Sequence, residues 1–296
     1  MNILFAVSEA APFVKTGGLG DVAGSLPAAL AAEGADVRVI LPLYGRIAEK
    51  FRLKMNFEFF DYVSLAWRRQ YCGLFSLKRD GVTWYFVDNE YYFKRDQLYG
   101  EYDDGERFAF FCRAVVDLIP RLGWTPDVIH CNDWQTALIP LYLRQEAGAP
   151  YENIKTVYTI HNIEYQGRFG SDILGDVFGL SSELYDSGIL RYDGDVNLMS
   201  DVGLHPLALG AVCCRTDSSL CDAARALCQA RGARFCEIKQ AQFAAGGLRF
   251  AETRYPYLPE NDSEKCAVLG MDGGLLIRRT ERGGVGFALA VLEPQD

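Results

Sequence analysis

The chain has 296 residues, a formal net charge of −9 and 49% hydrophobic residues, enough to bury a core as one large domain or two smaller ones. The acidic balance argues against nucleic acid or anionic membrane as the main partner, since both are held by basic patches. No run approaches the roughly 18 apolar residues of a spanning helix, and the N-terminal MNILFAVSEAAPF lacks a basic leader region, so a cytoplasmic address is expected.

Residues 2–8, NILFAVS, form a short apolar run suited to a buried strand. A loop to Gly20 follows, then a helical pattern from Asp21 to about Ala32, with Asp21 as its expected N-cap and Gly34 as its stop. ADVRVILP (35–42) reads as a second strand, giving a βαβ unit and the seed of a parallel sheet. Strand-like runs between residues 54 and 88 flank Asp80-Gly81, a hairpin turn signal. Residues 104–121 read as a helix with Phe108, Phe111, Cys112, Val115 and Leu118 on one stripe. PDVIHCNDW (126–134) is a strand running into polar residues and then a helix to about Gln145, and NIKTVYTIHN (153–162) repeats that design. Aromatic residues are plentiful (Trp67, Trp84, Tyr91, Tyr92, Phe93, Tyr99, Tyr102), and most are expected in core or hairpin packing.

Three strands end in chemically able residues: Ser8-Glu9, His130 to Asp133, and His161-Asn162. In an open parallel sheet these carboxyl ends share one edge, where ligands bind. Each alone also fits a bland role, with Asn132 or Asp133 capping a helix and His161 in a turn. Their joint placement points to a site.

VKTGGLGDVAGSLPAAL (14–30) sets a lysine beside three glycines in four positions, with a helix directly behind. Bare backbone permits close approach, and a helix start offers unpaired N–H groups. Together with Lys15 they suit a phosphate. GLGDVA fits the loose dinucleotide pattern, but nine residues separate Ser8 from Gly18 and the second strand ends in Leu41-Pro42 with no acid. A dehydrogenase is therefore a weak reading, and a P-loop fails because the lysine precedes the glycines.

SEAAPFVKTGGLGDVAGSLPAAL, VIHCNDWQTALIPLYL (128–143) and TVYTIHNIEYQGRF (156–169) resemble three signatures of the bacterial glycogen synthase and plant starch synthase family, in the family's order. The likeness covers residues 1–199 almost continuously. It implies an α/β fold, a Rossmann-like doubly wound parallel sheet forming the N-terminal half of a GT-B glycosyltransferase. It also implies retaining transfer of glucose from ADP-glucose to the non-reducing end of an α-1,4-glucan such as glycogen, with no cofactor and no bound metal. By the same resemblance Lys15, Gly17 and Gly18 meet the donor phosphates. Asn162 meets the sugar, and His161, Asp133 and Asp21 are the catalytic positions. No hydrolase-like carboxylate pair is evident, so a glycosidase double displacement is not expected.

The likeness stops at Met199. Residues 200–296 hold six of the nine cysteines (Cys213, Cys214, Cys221, Cys228, Cys236, Cys266), no tryptophan, and nine arginines against two lysines. No spacing is C-x-x-C and His205 stands alone, so neither zinc nor a disulfide framework is expected. This tail reads as the translation of a shifted frame, or else as a divergent module. A second Rossmann-like domain does not fit in 97 residues. The expectation is a chain with little or no transferase activity. The alternative is a non-catalytic glucan- or nucleotide-binding protein that uses half of the fold.

Overall fold

A computed structural model describes residues 1–162, 165–187, 190–192 and 194–199 and, beyond Met199, the backbone of five short strands. CDAARALCQAR (221–231), whose sequence reads as a short helix, lies outside the described residues.

Strand β1 (Asn2–Ala6) leads to helix α1 (Gly18–Ala32) and back to β2 (Asp36–Pro42). A helical turn, α2 (Glu49–Arg52), precedes the hairpin strands β3 (Asn56–Leu65), β4 (Arg68–Arg79) and β5 (Val82–Asp88). After the short α3 (Glu90–Phe93) come α4 (Asp104–Leu118), β6 (Val128–Asn132), a 3-10 turn at Trp134–Thr136, α5 (Leu138–Gln145) and β7 (Lys155–Ile160). Strands β8 (Arg168–Phe169), β9 (Arg191–Tyr192) and β10 (Asp195–Asn197) form a small antiparallel sheet. The remaining strands are β11 (Gly210–Cys213), β12 (Arg234–Ile238), β13 (Cys266–Gly270), β14 (Leu275–Arg278) and β15 (Ala288–Val291).

The main sheet runs β12-β13-β14-β15-β11-β7-β6-β1-β2-β5-β4-β3. Its centre, from β11 to β5, is parallel, and its outer strands are antiparallel. β1 lies in the middle, with Phe5 beside Val39 of β2 and His130 of β6. Leu4, Phe5 and Ala6 are fully buried, as expected of a strand covered on both faces.

Two expectations are corrected. Helix α1 begins at Gly18 with Gly17 as its N-cap, so Asp21 lies inside the first turn and caps nothing. Helix α4 is buried well beyond the stripe Phe108, Phe111, Cys112, Val115 and Leu118, with Ala109, Phe110, Ala114 and Val116 also fully covered. It packs against both β3 and α5, so a single-stripe reading understates its burial. Even Arg107 is fully buried, donating to the Asp104 carboxylate at 2.6 Å and the Tyr92 carbonyl at 2.8 Å. The Asp80-Gly81 turn stands as read, with both residues at positive φ.

α1 seats closely on the loop after β1. A Cβ added to Gly24 would stand 2.7 Å from the Ala11 carbonyl oxygen, a backbone atom that cannot swing aside. Alanine there should gain up to about 1 kcal/mol of helix propensity and lose about 1–3 kcal/mol to overpacking. Gly24→Ala is therefore expected to lower the thermal midpoint in a calorimetric scan; a raised midpoint would contradict this packing.

Candidate active site

The parallel strands β2 and β6 flank β1 on opposite sides, so the order in which strands are added to the sheet reverses at β1 and a crevice opens at their carboxyl ends. Ser8 and Glu9 follow β1, Asn132 ends β6 with Asp133 next, and His161 and Asn162 follow β7.

On the β1 side stands the glycine loop. Gly17, Gly18, Lys15 and Asp21 are all exposed at its mouth. Lys15 Nζ meets Asp21 Oδ1 at 2.6 Å, with half or more of each side chain in solvent. Behind the loop lies Glu9, 2% exposed. Its Oε2 accepts from Thr16 N at 2.5 Å and Thr16 Oγ1 at 2.7 Å, and its Oε1 accepts from Gly17 N and Gly20 N at 3.2 Å each. The loop therefore already holds one anion, on its inward side.

On the β6–β7 side the side chain of Asn132 is the junction. Its Nδ2 donates to the carbonyls of Ala6 at 3.0 Å and His130 at 3.1 Å, so its Oδ1 is the acceptor facing His161 Nε2 at 2.9 Å. His161 Nε2 thus carries the ring hydrogen. Burial, helped by His130, pushes the His161 pKa down to about 3, so the ring is neutral near pH 7. Nδ1 is then a bare acceptor, buried and without a partner among the described residues.

Asp133 adopts φ 55° and ψ 177°, a region that costs about 1–3 kcal/mol for a side-chain-bearing residue and persists only where its surroundings impose it. It caps no helix. Its Oδ1 crosses to β7 and accepts from His161 N at 2.6 Å and Asn162 N at 3.3 Å. Desolvation drives its carboxyl pKa up to about 7; the two amides pull it back and the Glu9 charge adds to the rise. His130 sits within β6, its Nε2 2.6 Å from Thr159 Oγ1 and its ring against Phe5, with a pKa lowered to about 4 by desolvation.

The structure thus brings His161, Asp133 and Asn162 into one hydrogen-bonded group and sets Lys15, Gly17, Gly18 and Asp21 together on the glycine loop, which Glu9 holds from behind. Sequence reasoning placed Glu9 and Asn132 at strand ends and missed what they do: Glu9 folds back under the glycine loop that follows it, and Asn132 acts through Ala6 and His161, both distant in the chain. Among the aromatics, Trp84, Tyr92 and Phe93 are buried, whereas Trp67, Tyr91 and Tyr102 are exposed. Cys72, Cys112 and Cys131 are buried free thiols. Among the described residues no cluster of three His, Cys, Asp or Glu side chains has metal-holding geometry, and no helix is long and apolar enough to cross a membrane.

A doubly wound sheet with these groups at its switch point defines a Rossmann-like domain of the GT-B glycosyltransferase type. The starch synthase catalytic domain model matches residues 2–206, and the chain belongs to that family. It is 52% identical over 201 residues to the glycogen synthase of Lactobacillus acidophilus and 54% identical over 201 residues to that of Anoxybacillus flavithermus. Each match takes in 67% of this chain and 42% of the relative, so the chain spans about two fifths of the relatives it matches. The solved catalytic domain of starch synthase IV from Arabidopsis thaliana, bound to ADP and acarbose, superposes with a TM-score of 0.62 at 29% identity, covering 71% of this chain and 44% of that one.

The buried acid carries a pH signature. Asp133 keeps its proton to about pH 7 when folded and to about 3.9 when unfolded, so its contribution to stability falls as pH rises between those values. The full cost above pH 7 is about 4 kcal/mol at 1.36 kcal/mol per unit. His130 and His161 act in the opposite sense, costing stability as pH falls below about 6.5. Asp133→Asn keeps the acceptor and removes the charge. Its gain in urea-unfolding stability is expected to be about 2–3 kcal/mol larger at pH 8 than at pH 5; an equal gain at both would refute the buried-acid assignment.

Proposed function

We propose that residues 1–199 are the N-terminal wall of an ADP-glucose-dependent glycogen synthase, built to transfer glucose with retention to the non-reducing end of an α-1,4-glucan. The observation that carries this is the convergence at one crevice of the glycine loop with Lys15 and the neutral, half-satisfied His161, in a chain of the starch synthase family. The two relatives are glycogen synthases, and the solved starch synthase holds ADP and acarbose.

Each residue has a task on this reading. Departure of ADP leaves negative charge on the diphosphate, and Lys15 with the glycine loop at Gly17 and Gly18 lies where fixed positive charge lowers that barrier. Asp21 holds Lys15 at the mouth until the diphosphate replaces it. His161 Nδ1 accepts a hydrogen bond from a hydroxyl of the donor glucose. Asp133 fixes the amides of His161 and Asn162, which sets the imidazole's aim, and Asn162 lines the sugar side. No cofactor enters the proposal; ADP-glucose and glucan are its small-molecule and polymer partners. Neither nucleic acid nor membrane has a part, and the proposed site of action is the cytoplasm.

The relatives run on well past the matched segment. A crevice with one wall lacks the donors the other wall brings, and each missing donor costs about 10²–10³ in rate. The purified 296-residue chain is accordingly expected to bind ADP while moving little or no labelled glucose from ADP-glucose onto glycogen. Turnover near that of a full-length relative would sink the one-wall reading. Calorimetry with α-glucan and ADP tests the second reading, a non-catalytic binding protein, favoured by the short coverage. Residues 200–296 we propose to be a shifted frame. Rereading the coding DNA past codon 199 in all three frames should reveal the family's second domain, and its absence from every frame would make the tail a genuine module.

Gly18 offers the simplest test of the phosphate cradle. A Cβ there meets nothing within 4 Å, so Gly18→Ala is expected to leave the thermal midpoint nearly unchanged. The methyl group would nevertheless occupy the space assigned to the diphosphate. A tenfold or greater loss of ADP affinity in calorimetric titration is expected, and undiminished affinity would overturn the assignment.

A further inference from the structure

The N-cap and first three residues of a helix carry N–H groups with no acceptor inside the helix. In α1 these belong to Gly17, Gly18, Leu19 and Gly20. The Glu9 carboxylate takes the first and last of them, together with both donors of Thr16. The N–H groups of Gly18 and Leu19 meet no acceptor among the described residues, and the space in front of Gly18 is open. The donor set is therefore divided, with one part turned inward onto a buried carboxylate and one adjacent pair left over.

We propose that Glu9 is a positioning residue for the diphosphate: by holding Thr16, Gly17 and Gly20 from behind, it aims the N–H groups of Gly18 and Leu19 at the ligand as a pair. This rests on the diphosphate reading above and adds a residue to it. Two effects of Glu9 on an anion in front of the loop compete. Its negative charge repels the anion, while its four hydrogen bonds fix the loop before binding and remove the cost of ordering a glycine-rich segment on arrival. The loop lies between the two charges, and the Glu9 charge is already compensated by four donors, so positioning dominates. Lys15 gains as well, because its Cβ stands against Gly20, whose amide Glu9 holds.

The sign of one substitution decides between these effects. Glu9→Gln removes the charge and turns an amide NH₂ toward two N–H donors, breaking half of the set. If repulsion ruled, Glu9→Gln would bind ADP more tightly. Positioning requires at least tenfold weaker binding, with circular dichroism showing the fold retained. A second measurement needs no substitution: amide spectra of the ¹⁵N-labelled full chain titrated with ADP. The Gly18 and Leu19 signals are expected to move most, while those of Gly17 and Gly20, already bonded to Glu9, move least. Equal or tighter ADP binding by Glu9→Gln, or larger shifts at Gly17 and Gly20, would overturn the proposal and leave the nucleotide reading standing. Failure of the unmodified chain to bind ADP would instead remove that reading, and the inference with it.

Discussion

One buried amide holds the crevice in register. Parallel strands have no hairpin to fix their ends relative to one another, so the carboxyl edge of such a sheet needs side chains to align it. Asn132 does so across three strands, donating to the Ala6 carbonyl of β1 and accepting from His161 just past β7. Thr136 closes the arrangement by accepting from the Asn132 backbone N–H at 2.5 Å and donating to the Asn132 carbonyl at 2.9 Å. Without the amide, the Ala6 carbonyl would lose this partner and His161 Nε2–H would be buried unpaired, at about 1–3 kcal/mol for each group left unsatisfied. The tautomer of His161 follows from this contact, and its orientation from this contact together with the hold of Asp133 on its backbone N–H.

The charges at the edge are arranged in a second way. Two acids, Glu9 and Asp133, follow adjacent strands inside the protein, where burial disfavours the charged form of Asp133 and the nearby acid adds a smaller cost. Glu9 receives four donors and Asp133 two, and desolvation, with a smaller addition from the Glu9 charge, raises the Asp133 pKa to about 7. Between them the crevice carries less negative charge near neutral pH than its residue list suggests. That matters for a site proposed to receive a diphosphate, since a second full carboxylate there would oppose the ligand.

Much of this was legible in the sequence, and the reasons are physical. Strand ends announce themselves because an apolar run that stops in His, Asn or Asp has no packing reason to do so. The glycine stretch is equally legible, since few structures need three glycines in four positions. What stayed hidden was partnership. Asp21 reads as an N-cap because a short acid precedes an apolar run, yet capping of α1 comes from Glu9, eleven residues before Gly20 in the loop after β1. α4 reads as one-sided because its stripe is visible while the two elements that pack on it are not. Asp133 looks like a helix cap, and only its positive φ and its reach across to β7 mark it as a residue held under strain.

The Lys15–Asp21 pair shows how such a site can be both closed and ready. The two charges are 2.6 Å apart but largely in water, where an ion pair is worth about 0–1 kcal/mol. Asp21 therefore keeps Lys15 near the loop at almost no thermodynamic depth. A diphosphate brings more negative charge than one carboxylate and, on the proposed reading, meets the α1 N–H groups at the same time. The exchange of Asp21 for the ligand then runs downhill, and Lys15 has only to turn within the mouth of the loop. A buried Lys15–Asp21 pair would have been far harder to open, since parting it would leave uncompensated charge in low dielectric. The exposure of this pair, set against the burial of Glu9 directly behind it, separates what must move in the loop from what must stay fixed.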